Sequence, residues 1–328
     1  MTSYGFFDDE HREYVITNPK TPVKWINYIG SLAFGGFVDQ TGGALICRND
    51  PSLNRITRYI SQLPASDFRG ETLYVRIRRG EDWVVFSPFY TPTLSAFEQY
   101  ECRVGLGYTR IVSQMHGVQA DVTIFVPLGE ACELRDIRVK NISNEAMDLD
   151  LIPVVEYTHP DALKQFTNAD WVPQTMQSRA VKQAERRLVL LQYPFMLRDR
   201  QVNYFTSNQP VQSYETDRSQ FLGDHEYGTW ARPLALLLRQ LGNYEAQRGD
   251  NIGALLHEMG RLEVGQERRL IVQLGQVDCL KNAQGSIDRW RRDAEVDAAL
   301  QELAAFWEER LSILQVKTPD VADRKSVV

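Results

Sequence analysis

Two runs of alternating side chains with a short reversal between them limit the fold of this chain more than any other feature. Tyr108 to Gln114 and Gln119 to Val126 are rich in β-branched and aromatic residues, and the glycine-containing stretch Met115 to Val118 separates them. In the second run Val122, Ile124 and Val126 share one face, while Asp121 and Thr123 share the other. A strand shows that period of two when one face meets a core and the other meets water. The stretch from Tyr100 to Glu130 therefore predicts an antiparallel hairpin. The first 276 residues repeat its pattern, which predicts a large antiparallel β protein.

Turn-forming pairs cut the preceding region into short strands: Asn18-Pro19, Thr21-Pro22, Gly35-Gly36 and Gly42-Gly43. Aromatic residues crowd there (Tyr4, Phe6, Phe7, Tyr14, Trp25, Tyr28, Phe34, Phe37), and two readings stand side by side: packing inside a β-sandwich, and a platform on which sugar rings stack. Leu73 to Ile77 and Trp83 to Phe86 predict a hairpin around Arg78-Arg79-Gly80-Glu81. Another is predicted where Ile137 and Val139 alternate with Arg138 and Lys140, Asn141 to Ala146 turns, and Met147, Leu149 and Leu151 alternate with Asp148 and Asp150. Strands resume at Leu188 to Tyr193, Val202 to Thr206, Ile252 to His257 and Arg269 to Gly275.

The period changes after residue 276. From Ser286, a candidate N-cap, to Leu314 the residues Ile287, Trp290, Ala294, Leu300, Leu303, Trp307 and Leu311 recur at three- and four-residue steps. One long or two shorter amphipathic helices follow, with an apolar stripe that needs a partner surface. The expected organisation is a β domain over residues 1–276, a helical linker over 277–318 and an unpatterned tail over 319–328. The tail reads either as a frayed terminus or as the mark of a truncated reading frame.

Charge and cysteine usage narrow the partners. Acidic residues exceed basic ones by 43 to 37, a net charge of −6, so there is no basic excess to attract nucleic acid or an anionic membrane. Uncharged, sugar-like ligands stay open. Cys47, Cys102, Cys132 and Cys279 are far apart and lack metal-ligand spacing, which points to a reducing, cytoplasmic setting without zinc. No stretch of about 18 apolar residues is present, so no membrane-spanning helix is expected.

The search for reaction chemistry finds no GxxxxGK loop, no GxSxG elbow and no HExxH helix. Asp8-Asp9-Glu10 is either a carboxylate cluster or a solvated charge run. His159 near Asp161, and His225 between Asp224 and Glu226, read as metal ligands or as loop hydrogen-bonders. The segment Glu156 to Met176 abandons strand alternation and concentrates His, Asp, Asn, Gln and Trp. That composition suits either sugar recognition or a loop that caps the sheet.

An ordered set of motifs then carries a resemblance. YGFFDDEHREYVIT, TPVKWINYIG, FGGFVDQTGGA, RITRY, YECRVGLGYTRI, VPLGE, ETDRSQFLG and the strand LEVGQERRLIVQLG resemble the N-terminal region of glycoside hydrolase family 94, the inverting β-glycoside phosphorylases of the cellobiose phosphorylase type. The same module is similar to part of the cyclic β-1,2-glucan synthases. The likeness runs from about residue 4 to 318. It implies a mainly β, two-sheet super-sandwich of the galactose mutarotase-like kind followed by linker helices. The (α/α)6 barrel that carries the family's catalytic acid and most phosphate ligands is missing from this chain.

The resemblance implies a scaffold, a homodimer surface and part of an acceptor-sugar site for a β-gluco-oligosaccharide, with inorganic phosphate as co-substrate and no cofactor or metal. It carries Asn168 over as an acceptor-sugar contact, by the Thr167-Asn168 step of the 159–176 loop. Asp170, Trp171 and Gln174 depart from the family pattern and are named from chemistry alone. No catalytic residue is expected here, and the chain by itself is expected to be inactive. Two other readings are a free-standing carbohydrate-binding or structural sandwich and a glucan synthase module. A lone module would be expected to expose the apolar stripe of its C-terminal helix or to self-associate, whereas a barrel would cover it.

Overall fold

A computed structural model describes residues 4–60, 70–158, 172–195, 201–223 and 228–313. The first strands are β1 (Gly5–Asp8), β2 (Glu13–Ile16), β3 (Ile26–Gly30), β4 (Phe34–Asp39), β5 (Ala44–Arg48), β6 (Glu71–Arg79) and β7 (Asp82–Phe86). The central strands are β8 (Gln99–Val104), β9 (Tyr108–Met115), β10 (Val118–Phe125), β11 (Cys132–Asn141) and β12 (Met147–Glu156). Then come β13 (Met176–Lys182), β14 (Leu188–Pro194), β15 (Val202–Ser207), β16 (Ser213–Asp217), β17 (Asn251–Leu262) and β18 (Glu267–Val277). Among the described residues the α-helices are α1 (Arg218–Leu222), α2 (Leu280–Arg289) and α3 (Asp293–Leu311).

Among the described residues the strands form a ten-stranded sheet (β1-β2-β8-β9-β10-β11-β18-β15-β14-β13), a five-stranded sheet (β16-β17-β12-β6-β7) and a small β3-β4-β5 sheet. All pairings are antiparallel, as the alternation predicted. The β9–β10 hairpin pairs Val118 with Met115 through His116 and Gly117, both at positive φ (54° and 77°), the reversal that matches strand twist. A side chain at Gly117 would also collide with Ser143. The β6–β7 hairpin forms as predicted, with Arg79 opposite Asp82.

The predicted hairpin at 137–151 does not form. β11 lies in the large sheet between β10 and β18, whereas β12 lies in the five-stranded sheet between β6 and β17, so residues 141–146 cross from one sheet to the other. Alternation cannot separate these cases, because a hairpin and an arch both bury one face of each strand. Buried Asn141 decides the path. Its amide donates to the carbonyls of Glu145 (2.7 Å) and Leu262 (3.0 Å), and its Oδ1 accepts from the Ser143 amide (2.9 Å) and hydroxyl (2.7 Å). Its backbone also exchanges bonds with Gly265 and Gln266, which tie it to a second arch running from β17 to β18.

Three apolar layers result. Leu73, Val75, Val122, Ile137, Leu151 and Leu270 belong to the core between the two large sheets. Phe221, Leu236 and Leu241 cover the outer face of the five-stranded sheet. Phe125, Leu134, Val189 and Ile271 on the outer face of the large sheet meet Ile287, Trp290, Val296 and Leu303 of α2 and α3. The apolar stripe is therefore covered by the sandwich itself, contrary to the expectation for a lone module, because the large sheet turns a second apolar face outward.

Ser286 does not cap a helix. α2 begins at Leu280 with Cys279 before it, and Ser286 sits in its second turn. There its hydroxyl donates to Glu130 (3.0 Å) and accepts from the Trp290 indole (3.0 Å), fixing the helix to the sheet. α3 has 19 residues and runs for about 28 Å at 1.5 Å per residue, enough to cross several strands spaced about 4.8 Å apart. Arg138 of β11 and Arg269 of β18 hold Asp297 near its start, and Arg12 pairs with Glu308 near its end.

Candidate functional site

One end of the sandwich gathers the end of β12 at Glu156, the start of β13 at Met176, the end of β14 at Pro194 and the start of β15 at Val202. Asn168, Asp170 and Trp171 lie outside the described residues, as do His159, Asp161, Asp224, His225 and Glu226. Gln174 is exposed in a one-turn 3-10 helix, Val172–Thr175, that leads directly into β13. The Phe195 amide donates to the Thr175 carbonyl (3.1 Å) and holds that turn against the end of β14.

An ionic knot at the same end joins four separate parts of the sequence. Buried Glu156 accepts at Oε1 from Arg58 (2.8 Å) and Arg218 (3.2 Å), and Arg218 also pairs with Asp250. Burial raises the Glu156 carboxyl above its ordinary range, and the two guanidiniums oppose that shift. The backbone is fixed around the knot: Arg58 N donates to Glu156 O (2.9 Å), Glu156 N to Gly70 O (2.7 Å) and Tyr157 N to Asn251 O (3.2 Å). Among the described residues two guanidiniums meet two carboxylates there, and the pairs tie the joined segments into a rigid frame.

The ETDRSQFLG motif supplies part of that frame. Glu215 accepts from the amides of Thr216 (2.9 Å) and Asp217 (3.1 Å), and burial pushes its carboxyl up to about 7. The Thr216 hydroxyl donates to Tyr244 O (2.7 Å) and accepts from the Ala246 amide (2.8 Å). Asp217 caps α1 through the Gln220 amide (2.9 Å), Arg218 enters the knot, and Phe221 packs beneath Tyr74 and Trp230. Glu215, Thr216, Asp217, Arg218 and Phe221 all anchor structure.

FGGFVDQTGGA works in the same way. Buried Asp39 accepts from the Thr41 amide (2.8 Å), the Thr41 hydroxyl (2.6 Å) and the Tyr59 phenol (2.7 Å). Gly42, at φ 88°, lies so close to the Phe89 ring that a Cβ would come within 2.6 Å of it. The aromatic cluster is part packed and part exposed. Phe34 is core and Tyr4, Tyr14 and Trp25 pack on one another, whereas Tyr28 is 73% exposed, edge-on to Phe37 at 6.3 Å. Asp8 is bonded to His11 (2.9 Å) and Arg103 (3.2 Å), which makes it part of a surface network with Glu13 and Glu101. Among the described residues no group of three or more His, Cys, Asp or Glu side chains could hold a metal ion.

The sequence reading missed the knot. Arg58 lay in RITRY and Arg218 in ETDRSQFLG, so the motifs held the signal, but their meeting at Glu156 is a tertiary fact. It also missed Glu71, Glu133 and Arg135, charged residues buried between the sheets. Their signal was register: Glu133 and Arg135 share the inward parity of Ile137 and Val139.

Residues 12–293 match the supersandwich domain of glycosyl hydrolase 94. The chain belongs to this family. A similar protein is N,N'-diacetylchitobiose phosphorylase from Vibrio proteolyticus, 30% identical over 97% of this chain. Its namesake from Vibrio furnissii is 28% identical. The chain spans 38% of the length of each of these two relatives. The cyclic beta-(1,2)-glucan synthase NdvB of Rhizobium meliloti is 24% identical over 97% of this chain, which covers 11% of that protein. A bacterial glucoamylase complexed with acarbose shares the fold at a TM-score of 0.50 and 9% identity, over 90% of this chain and 40% of the glucoamylase.

Proposed function

We propose that this family 94 supersandwich is the scaffolding portion of an inverting phosphorylase that cleaves a β-linked gluco-oligosaccharide with phosphate and yields an α-sugar 1-phosphate. The observation that carries this reading is the family match over residues 12–293 in a chain three of whose relatives, each matched over 97% of this chain, are named as phosphorylases. The identity to two chitobiose phosphorylases makes an N-acetylglucosaminyl donor the first to test, beside glucosyl. In this proposal residues 1–276 provide scaffold, homodimer surface and acceptor contacts in the cytoplasm, residues 277–318 link to a catalytic barrel, and Asn168, Asp170, Trp171 and Gln174 face the acceptor sugar. The Glu156 knot, at the end of the sandwich where Gln174 lies, supports it as a fixed base for acceptor contacts.

The test uses the chain alone and the chain joined to a family 94 catalytic barrel, each given phosphate and a panel of β-linked disaccharides. Sugar 1-phosphate is expected from the joined protein only. Release by the chain alone, or no release from any β-linked substrate by a folded joined protein, overturns the proposal. In the joined protein Asn168→Ala is expected to raise KM for the acceptor in the reverse reaction while leaving the sugar-phosphate KM unchanged, and equal loss for both sugars removes that role. Calorimetric binding of oligosaccharides to the chain alone would favour the free-standing binding module instead.

A further inference from the structure

We propose that Glu71 and Glu133 share a single proton at neutral pH, so that the two carboxyls carry one negative charge between them and balance Arg135. The geometry is a closed triad between the sheets. Arg135 of β11 donates from Nη2 to Glu71 of β6 (2.9 Å) and from Nε to Glu133 (2.8 Å). None of the three residues is more than 4% exposed. The remaining Arg135 nitrogen reaches the Gly42 carbonyl (3.4 Å), and the Phe89 ring lies beneath the guanidinium.

Two carboxylates against one guanidinium would leave an unpaired negative charge in the interior, and such a site takes up a proton rather than hold it. Glu133 Oε2 is buried and finds no donor among the described groups, and the two carboxyls sit side by side on neighbouring nitrogens, Nε and Nη2, of the same guanidinium. Two ionised carboxylates have no hydrogen between them. One proton on the pair supplies the missing donor, balances the charge and links the sheets through a carboxyl–carboxylate bond. Among the described residues Tyr157 also faces Glu71; its hydroxyl is buried without a partner, and desolvation keeps it neutral. Burial, with Glu133 adding and Arg135 opposing, holds Glu71 well above the ordinary carboxylate range.

A carboxyl raised in the folded protein keeps its proton where the unfolded chain has lost it, so stability falls as pH rises from the ordinary glutamate range to the folded value. Site-resolved carbon NMR of the glutamate carboxyls in the unaltered protein reads the state directly. One of the two is expected to show the neutral-acid shift at pH 7, or both an intermediate one, and to titrate together at higher pH. Both carboxyls at the ionised position at pH 7 overturns the proposal. Independently, E71Q or E133Q, each neutral in place of the shared acid, is expected to lose the part of the decline in melting temperature above pH 5 that this pair causes. A decline identical to that of the unaltered protein in a folded variant overturns it as well.

Discussion

The two outward faces of the sandwich are covered by opposite means. The large sheet is closed by α2 and α3, whose Ile287, Trp290, Val296 and Leu303 meet an apolar sheet face. The five-stranded sheet is closed by α1 and the mostly irregular segment 228–241, and there one buried arginine adds polar anchoring to the apolar contacts of Phe221, Leu236 and Leu241. Arg76 bonds Asp150 (2.6 Å), donates to the carbonyls of Leu236 (3.3 Å), Leu238 (2.6 Å) and Arg239 (2.8 Å), and stacks on Trp83 at 4.1 Å. A helix satisfies its own backbone and needs only an apolar stripe to dock. A covering segment without that ladder brings carbonyls that something else must satisfy.

The largest effect is expected from breaking the arginine side. Arg76→Met leaves Asp150 buried without its cation and frees three carbonyls, at a cost of about 3–5 kcal/mol. Urea unfolding measures it, and hydrogen exchange should quicken over 228–241 while α3 stays protected. Equal quickening at both faces would show that the covers are not independent. The converse, Leu303→Ala, is expected to cost about 2–3 kcal/mol, because a seam between helix and sheet relaxes more than a closed core, and to quicken α3 alone.

Glu215 gives the most diagnostic change. Its carboxyl is pushed up to about 7 by burial, while the unfolded chain ionises it near 4.5. Stability should therefore fall as pH rises from about 4.5 to about 7, by no more than about 1.4 kcal/mol per pH unit from this group. Glu215→Gln is expected to remove that share of the fall, read from urea midpoints across the range. An unchanged profile would mean that the carboxyl is ionised in the folded protein.

The same contrast explains what could be read in advance. The strands, the β9–β10 and β6–β7 hairpins and the helical stripe were legible because each is a local period in side-chain character. The arch at 141–146 was not, because Asn141 acts through Leu262, Gly265 and Gln266, far away in sequence. Nor was the cover over the five-stranded sheet, which depends on where a single arginine points. At the candidate site the motifs marked Arg58 and Arg218, but only the fold brings them to Glu156.

The two arches also set the order in which the protein can be made. β11 pairs with β18, from Lys140 opposite Glu267 to Cys132 opposite Gly275, and β12 pairs with β17, so the centre of each large sheet joins segments separated by most of the intervening chain. Contacts of such span form late and slowly. On the ribosome, β11 and β12 must wait with one edge open until residues up to Val277 have emerged. Until then the nascent chain presents unpaired strands to its neighbours, which places the greatest need for chaperone protection between the synthesis of β12 and that of β18.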